Sequence, residues 1–329
     1  MHPLVSKKRP KIYIRKTIPQ NYLDKMMELG AELIMEPWQY GDLEQPPKHD
    51  ISHCNIVLTL GLHDTLAITQ FAPKVEWVQS LSVGLEALLH KDVIESPITI
   101  TNTKGCTSVP IAEHTIAMIS GLARGIPFMI RNQLKKAWEP TPITDLTKST
   151  VGIIGYGEIG KEIAKRCKAF NMSVIGCKKR PEIQKSDDPA DFIVGLDELD
   201  TVIKKADFLI LALPSTKETF HLVNKKKLEM MKKSSFLINI GRGNIIVEKD
   251  LITVLKEKRI AGAALDVFDI EPLPKHHELW DLDNVIISPH NAYYSPNTMD
   301  SYMELFLENI KRFMNGHELL NVVDKRMGY

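Results

Sequence analysis

Two periodicities take turns along this chain: short apolar runs of strand length, and longer stretches whose apolar positions recur at helical spacing. In the N-terminal third the runs fall at residues 12–14, 33–35, 55–58, 75–79 and 98–101, with helical patterns such as residues 22–29 between them. Alternation of this kind predicts an α/β layer with a largely parallel sheet. Residues 35–50 are richer in proline and polar side chains and read as a loop. Over residues 108–126, Ile111, Thr115, Met118, Ile119 and Leu122 mark one buried helical face, and Pro110 suits the first turn. Residues 127–150, with Trp138, Pro140 and Pro142, lack a period and read as an arm or linker. Apolar runs resume at 151–154, 174–175, 208–213, 236–240, 263–267 and 285–287, with helical patterns near 196–204 and 249–258, and predict a second doubly wound sheet. The chain closes on an amphipathic helix over 297–315, apolar at Met299, Tyr302, Phe306, Ile310 and Phe313 and stopped by Gly316. Because it comes after the last strand of the second sheet, this helix is expected to return to the first.

Length and composition narrow the class. At 329 residues the chain exceeds one ordinary core, so two domains are expected. Its 42 basic and 41 acidic residues leave a net charge of +1, which creates no field to gather nucleic acid or an anionic membrane. Cys54, Cys106, Cys167 and Cys177 show no CxxC spacing and read as small core residues rather than a metal site or a disulfide framework, which fits a reducing cytoplasm. Behind the basic residues Lys7, Lys8 and Arg9 the apolar run is only a strand long and is broken by Arg15, so neither a signal peptide nor a membrane span is expected.

The candidate chemistry begins at residues 151–180, VGIIGYGEIGKEIAKRCKAFNMSVIGCKKR. An apolar strand leads into glycines 155, 157 and 160, and Ile159, Ile163, Cys167 and Phe170 come next at helical spacing. In such a strand–turn–helix, Gly155 permits the sharp turn, Gly157 lets backbone approach a pyrophosphate, and Gly160 lets the helix press on the sheet. The free N–H groups and positive end of the helix then face the phosphates. Further on, three residues lie in loops after strands: Arg242 in NIGRGN, Glu271 in DVFDIEPLP and His290 in SPHNAYYSP. Singly, each has a plain reading as a surface charge, a turn residue or a structural histidine. Together they are a complete set for reducing a 2-oxo acid. The guanidinium binds a carboxylate bidentately and polarises the adjacent carbonyl, the imidazolium delivers a proton to the alkoxide, and the carboxylate favours the charged imidazole. A Ser-His-Asp hydrolase is disfavoured, because Ser288 is on no nucleophile elbow and no G-x-S-x-G occurs.

Over essentially its full length the chain resembles the D-isomer-specific 2-hydroxyacid dehydrogenases. The motifs are GYGEIG at 155–160, LALPSTKET at 211–219, NIGRGNIIVE at 239–248, GAALDVFDIEPLP at 262–274 and SPHNAYYSP at 288–296. The resemblance implies two doubly wound parallel-sheet domains, a Rossmann nucleotide-binding domain (105–294) inserted in a flavodoxin-like substrate domain (1–104 and 295–329). It implies that Arg242 holds the substrate carboxylate and carbonyl, that His290 is the acid/base and that Glu271 tunes it. Ser82, Val83 and Gly84 would bind the substrate, with the Val83 and Gly84 N–H groups on its carboxylate. Cofactor contacts would come from Gly155, Tyr156, Gly157, Glu158, Ile159, Gly160, Leu213, Pro214, Thr219, Ile240, Gly241, Arg242 and His290, with Asp266 on the nicotinamide side. A homodimer packed through residues 127–150 is also implied. Departures from the family pattern are Val83, Gly84, Leu85 and Glu86 where many relatives carry Ala-Gly-Val-Asp, Lys148 and Ser149 in place of Gly-Lys, and Ala212 in place of a histidine.

The cofactor is read from the residues just past the second strand of the glycine unit. An NAD-selective unit carries an acidic residue there for the ribose 2′-hydroxyl, whereas this chain has Lys178, Lys179 and Arg180 and no carboxylate. These cations suit a 2′-phosphate, so NADP is expected, with NAD possible. The expected activity is an NAD(P)-dependent reduction of a small 2-oxo acid, of the glyoxylate or hydroxypyruvate type, with no metal. Two alternatives are carried. One is a phosphoglycerate or D-lactate dehydrogenase of the same family, although the tail after the closing helix is short for the long phosphoglycerate enzymes. The other is a dinucleotide-sensing protein like the transcriptional corepressors of this fold.

Overall fold

A parallel strand covered on both faces reads as a continuous apolar run, and runs of this kind build both sheets of the protein. The computed structural model describes residues 8–37, 46–60, 70–85, 88–181 and 187–327. Part of the loop expected over residues 35–50 therefore lies outside the described residues, as does Glu86. The chain divides into two compact units, Met1–Cys106 with Pro296–Tyr329, and Thr107–Ser295. These breaks fall after residues 106 and 295, beside the crossings expected after 104 and 294.

The first unit holds strands β1 (Lys11–Ile14), β2 (Glu32–Met35), β3 (Ile56–Thr59), β4 (Trp77–Ser80) and β5 (Thr99–Thr101). All pairings are parallel, in the order β2-β1-β3-β4-β5, the flavodoxin-like winding. Helix Thr298–Met314 belongs to this unit and buries Tyr302, Met303, Phe306, Ile310 and Phe313 in one core with Ile12, Ile14 and Trp77. The Trp77 ring centroid lies 5.3 Å from Phe306 and 5.8 Å from Phe313. Contacts of this type add on the order of 1 kcal/mol beyond area burial.

The second unit holds β6 (Thr150–Ile154), β7 (Ser173–Cys177), β8 (Phe192–Val194), β9 (Phe208–Leu211), β10 (Phe236–Asn239), β11 (Gly262–Leu265) and β12 (Val285–Ile287). Their order is β12-β11-β10-β9-β6-β7-β8, again parallel throughout, the Rossmann winding. Successive β6 side chains point to opposite faces. Ile154 belongs to the core to which helices Leu199–Lys205 and Glu248–Lys256 contribute, and Ile153 to the core to which Ser108–Ala123 and Glu158–Ala169 contribute. The strand order reverses direction between β6 and β9, the switch point where such sheets open a crevice.

Two local expectations are corrected. Strand β8 is an addition to the expected elements: it is an edge strand whose apolar run, Phe192–Val194, is only three residues long, and its Phe192 is 65% exposed. The stretch expected to be irregular begins with a helix, Ile126–Lys135, entered through Gly125 in the left-handed region and started with a proline. None of its side chains is buried. Ile126, Met129, Ile130 and Leu134 recur at helical spacing, but this stripe is exposed, and the prolines beyond it break the period over the longer window. The cysteines are all unpaired; Cys54, Cys167 and Cys177 are buried and Cys106 is half-buried. Among the described residues no helix is long and apolar enough to cross a membrane, and no group of three metal-ligating side chains occurs.

Candidate active site

The chain leaves β6 through Gly155, whose φ of +97° is open to glycine and strained for other residues. A Cβ there would lie 2.4 Å from the Ala212 carbonyl oxygen, so the turn also needs the missing side chain for space. The N–H groups of Gly155 and Tyr156 donate to the Cys177 carbonyl at 2.9 and 3.0 Å, tying the turn to β7. Gly157 opens the helix Glu158–Ala169 with no side-chain cap, and a Cβ at this position would meet nothing within 4 Å. A space beside bare backbone, in front of an uncapped helix start, is a cradle for an anion. Gly160 lies one turn in, where a Cβ would come within 3.2 Å of the Tyr156 ring and 3.3 Å of Ile153. The residues present thus fit a dinucleotide pyrophosphate.

Tyr156 contributes differently from its glycine neighbours. Its ring is buried, and its hydroxyl donates to Asp188, thirty-two residues on. Burial, with Asp188 beside it, pushes the phenol pKa far up. Glu158 is exposed and Ile159 half-buried in the first turn of the helix. After β9, the Thr219 hydroxyl donates to the Pro214 carbonyl at 2.7 Å and accepts from the Thr216 N–H at 2.8 Å, so it shapes the loop that also holds Leu213. Beyond β7, Lys178 is half-buried and Lys179 and Arg180 are exposed. Lys179 meets a carboxylate that linear reading did not place there: Glu218 accepts from its ammonium at 2.6 and 2.8 Å.

Arg242, Glu271 and His290 come together. They line a cavity of about 230 Å³ with Gly243, Asn244, Phe268 and Asp269. Each comes after a strand end: Ile240 and Gly241 lead from β10 to Arg242, whose guanidinium donates to the Gly241 carbonyl at 2.8 Å. Glu271 lies beyond β11, and its Oε1 accepts from the Phe268 N–H at 2.9 Å. His290 lies beyond β12 with Nδ1 2.6 Å from Glu271 Oε2. Burial opposes ionisation of Glu271, but the hydrogen bonds from His290 and Phe268 and the charges of His290 and Arg242 outweigh it. They hold its carboxyl below the usual value of 4.5.

His290 has a φ of +50°, a left-handed conformation that costs on the order of 1 kcal/mol for a non-glycine residue. What holds it is Asp266, 2% exposed at the end of β11. Its Oδ1 accepts from the Ser288 hydroxyl and, at 3.0 Å, from the Asn291 N–H, and its Oδ2 accepts from the Ala292 N–H at 3.1 Å. The bonds bracket His290 on both sides, so Asp266 sets the aim of the imidazole. Ser288 and Asn291 were not among the expected site residues, because their part is set by a partner more than twenty residues away. Asn244 was missed as well; its buried Oδ1 finds no partner among the described residues. Asp269 on the same wall has its carboxyl pushed up, first by burial and then by Glu248.

Ser82, Val83 and Gly84 belong to the other unit, directly after β4. Ser80 Oγ accepts from the Ser82 N–H at 3.0 Å, and Asn102 donates to the Val83 carbonyl at 3.3 Å. Val83 is 38% exposed at the tip of this turn.

A fold with both windings, a glycine cradle at the switch point and an Arg-Glu-His cluster at neighbouring strand ends defines a two-unit dinucleotide-dependent oxidoreductase. The family model for the D-isomer specific 2-hydroxyacid dehydrogenase NAD binding domain matches residues 116–292, and the chain belongs to that family. It is 31% identical to a glyoxylate reductase of Thermofilum pendens, over 97% of this chain and 96% of that one. Among solved structures it is similar to a D-isomer specific 2-hydroxyacid dehydrogenase of Xanthobacter autotrophicus Py2 in complex with NADPH and MES, with a TM-score of 0.84, 26% identity and coverage of 98% and 100%. A comparable match is an NADPH-dependent glyoxylate/hydroxypyruvate reductase of Sinorhizobium meliloti in complex with NADP and malonate, with a TM-score of 0.81, 26% identity and coverage of 97% and 98%. The protein is therefore an NAD(P)-dependent 2-hydroxyacid dehydrogenase.

Proposed function

We propose that the protein reduces a small 2-oxo acid, of the glyoxylate or hydroxypyruvate type, to the D-2-hydroxy acid with NADPH as preferred reductant and NADH as a second choice. The observation that carries this reading is the His290–Glu271 hydrogen bond in the cavity that Arg242 lines. A nicotinamide cofactor held by the glycine turn would supply the hydride for C2. With Nδ1 engaged by Glu271, His290 has Nε2 free to give its proton to the oxygen that becomes the hydroxyl. Arg242 binds the carboxylate and polarises the carbonyl, and Glu271 remains ionised to orient the imidazole. Asp266 takes the nicotinamide side while it holds the His290 turn. Lys178 and Arg180 are free of side-chain partners among the described residues and suit a 2′-phosphate, and the similar Xanthobacter and Sinorhizobium enzymes carry NADPH or NADP.

The test is loss of absorbance at 340 nm when the purified protein meets NADPH or NADH with glyoxylate, hydroxypyruvate, pyruvate or 3-phosphohydroxypyruvate. Oxidation fastest with NADPH and glyoxylate or hydroxypyruvate is expected. A preference for pyruvate or the phosphorylated acid would transfer the assignment to a D-lactate or phosphoglycerate dehydrogenase. Cofactor binding without turnover would leave a dinucleotide sensor.

The same reading includes a cytoplasmic homodimer. Its support is the helix Ile126–Lys135 and the segment after it, which expose Met129, Ile130, Leu134, Trp138 and Ile143. A cavity of about 570 Å³ beside Ile126, lined also by Met118, Ile286 and Arg124, continues this surface. Apolar side chains exposed together in this way suit a self-complementary interface. Sedimentation should show a dimer, and Leu134→Asp with Trp138→Asp should shift it to monomer at micromolar concentration.

A further inference from the structure

The cation run after β7 does not face solvent alone. Lys179 Nζ contacts Glu218 Oε2 at 2.6 Å and Oε1 at 2.8 Å, although the two residues stand 39 positions apart. Glu218 is in the loop after β9, next to Thr219, and β7 and β9 are the two neighbours of β6. The ion pair therefore links the loops on either side of the strand that carries the glycine turn. Lys178 and Arg180 have no such partner among the described residues, so one cation of the three is neutralised before any cofactor arrives.

A ribose 2′-phosphate and the Glu218 carboxylate are both anions, and placing both on one ammonium sets two like charges side by side, so each weakens the hold on the other. From this geometry we propose that Glu218 is a specificity-determining residue for the cofactor, a built-in counter-ion that competes with the 2′-phosphate for Lys179. NADH lacks the phosphate and leaves the Lys179–Glu218 pair intact. NADPH must draw Lys179 away from Glu218 or bind through Lys178 and Arg180 alone. Glu218 thus lowers the preference for NADPH and keeps NADH usable in a loop of three cations. The pair is exposed, with side-chain exposures of 51% and 64%, so the effect is modest.

The inference rests on the NADPH reading above, and the experiment separates the two. kcat/KM is measured with NADPH and with NADH at saturating oxo acid for the parent enzyme, Glu218→Gln, Lys179→Gln, the double variant and Lys178→Asp. Glu218→Gln should raise the NADPH/NADH ratio about two- to fivefold, the range set by exposed ion pairs. In the Lys179→Gln background the same change should do nothing, because the competition has lost its object. Glu229→Gln, which removes a carboxylate paired with Arg259 at 3.0 Å, should leave the ratio unchanged. An unchanged ratio in Glu218→Gln, or an equal rise without Lys179, overturns the counter-ion role. If Lys178→Asp still shifts the ratio toward NADH in that case, the cofactor reading survives. Equal use of both cofactors by the parent, insensitive to Lys178→Asp, sinks both.

Discussion

After β6 the protein presents bare backbone, whereas after β10, β11 and β12 it presents side chains. The glycine turn works by leaving atoms out: a missing Cβ at Gly155 admits the Ala212 carbonyl, and bare backbone at Gly157 leaves open space before an uncapped helix. The Arg242, Glu271 and His290 region adds atoms instead, three charged or polar groups from three loops, with the His290 turn held by a fourth residue, Asp266. A backbone site tolerates no substitution at its closest approaches but is indifferent to most of its side chains. A side-chain site has a graded response, from the reacting group outward to its supports.

The largest expected effect breaks the second region. His290→Ala should lower kcat about 10²- to 10⁴-fold, the usual worth of a positioned acid/base, with cofactor Kd by fluorescence titration nearly unchanged. Near-parental turnover would remove His290 from the proton step. Gly155→Ala should do the reverse, since a Cβ 2.4 Å from a backbone oxygen forces the turn open. Several kcal/mol of stability, seen in urea unfolding, and most cofactor binding should be lost together. A stable Gly155→Ala protein with parental cofactor Kd would mean that the turn can relax and that the contrast is false.

Glu271→Gln sharpens the comparison within the side-chain region. Replacing a charge-assisted bond by a neutral one should lower kcat roughly ten- to a hundredfold while KM for the oxo acid moves little. The smallest effect is on stability against pH. The Glu271 carboxyl is held below its usual 4.5, so its ionisation favours the folded state. That contribution is complete above the unfolded value and is lost as pH falls through the lowered folded one. Below about pH 5 the stability gap between parent and Glu271→Gln should shrink as pH falls. A gap that widens with further acidification below about pH 5 would contradict the Glu271 geometry.

The contrast also explains which features are legible in the amino-acid sequence. The turn at residues 155–160 is contiguous, so glycine spacing and the flanking apolar periods disclose it, and the buried runs of both sheets are legible for the same reason. Arg242, Glu271 and His290 were found as strand-end residues whose chemistry is complementary, which is a weaker, combinatorial signal. Asp266 was marked for a cofactor role, yet its three hydrogen bonds to the His290 turn were invisible, because Ser288, Asn291 and Ala292 carry no local mark of a distant carboxylate. Glu218 was passed over although it stands inside the LALPSTKET motif; a salt bridge across 39 positions leaves no period. β8 is hard to read because its apolar run, Phe192–Val194, is only three residues long.

The helix Thr298–Met314 has a consequence for synthesis of the chain. The core of the first unit is closed by Phe306, Ile310 and Phe313, more than two hundred residues after Trp77. At ribosomal rates of about 5–20 residues per second, the nascent first sheet waits on the order of ten seconds or more with the core around Trp77, Ile12 and Ile14 incomplete. The inserted unit, whose strands and covering helices are contiguous in the chain, has all its parts before the first sheet does. Maturation is thus staggered, and the interval in which the early sheet stands open is when a nascent chain of this protein is most exposed to aggregation and most in need of a chaperone.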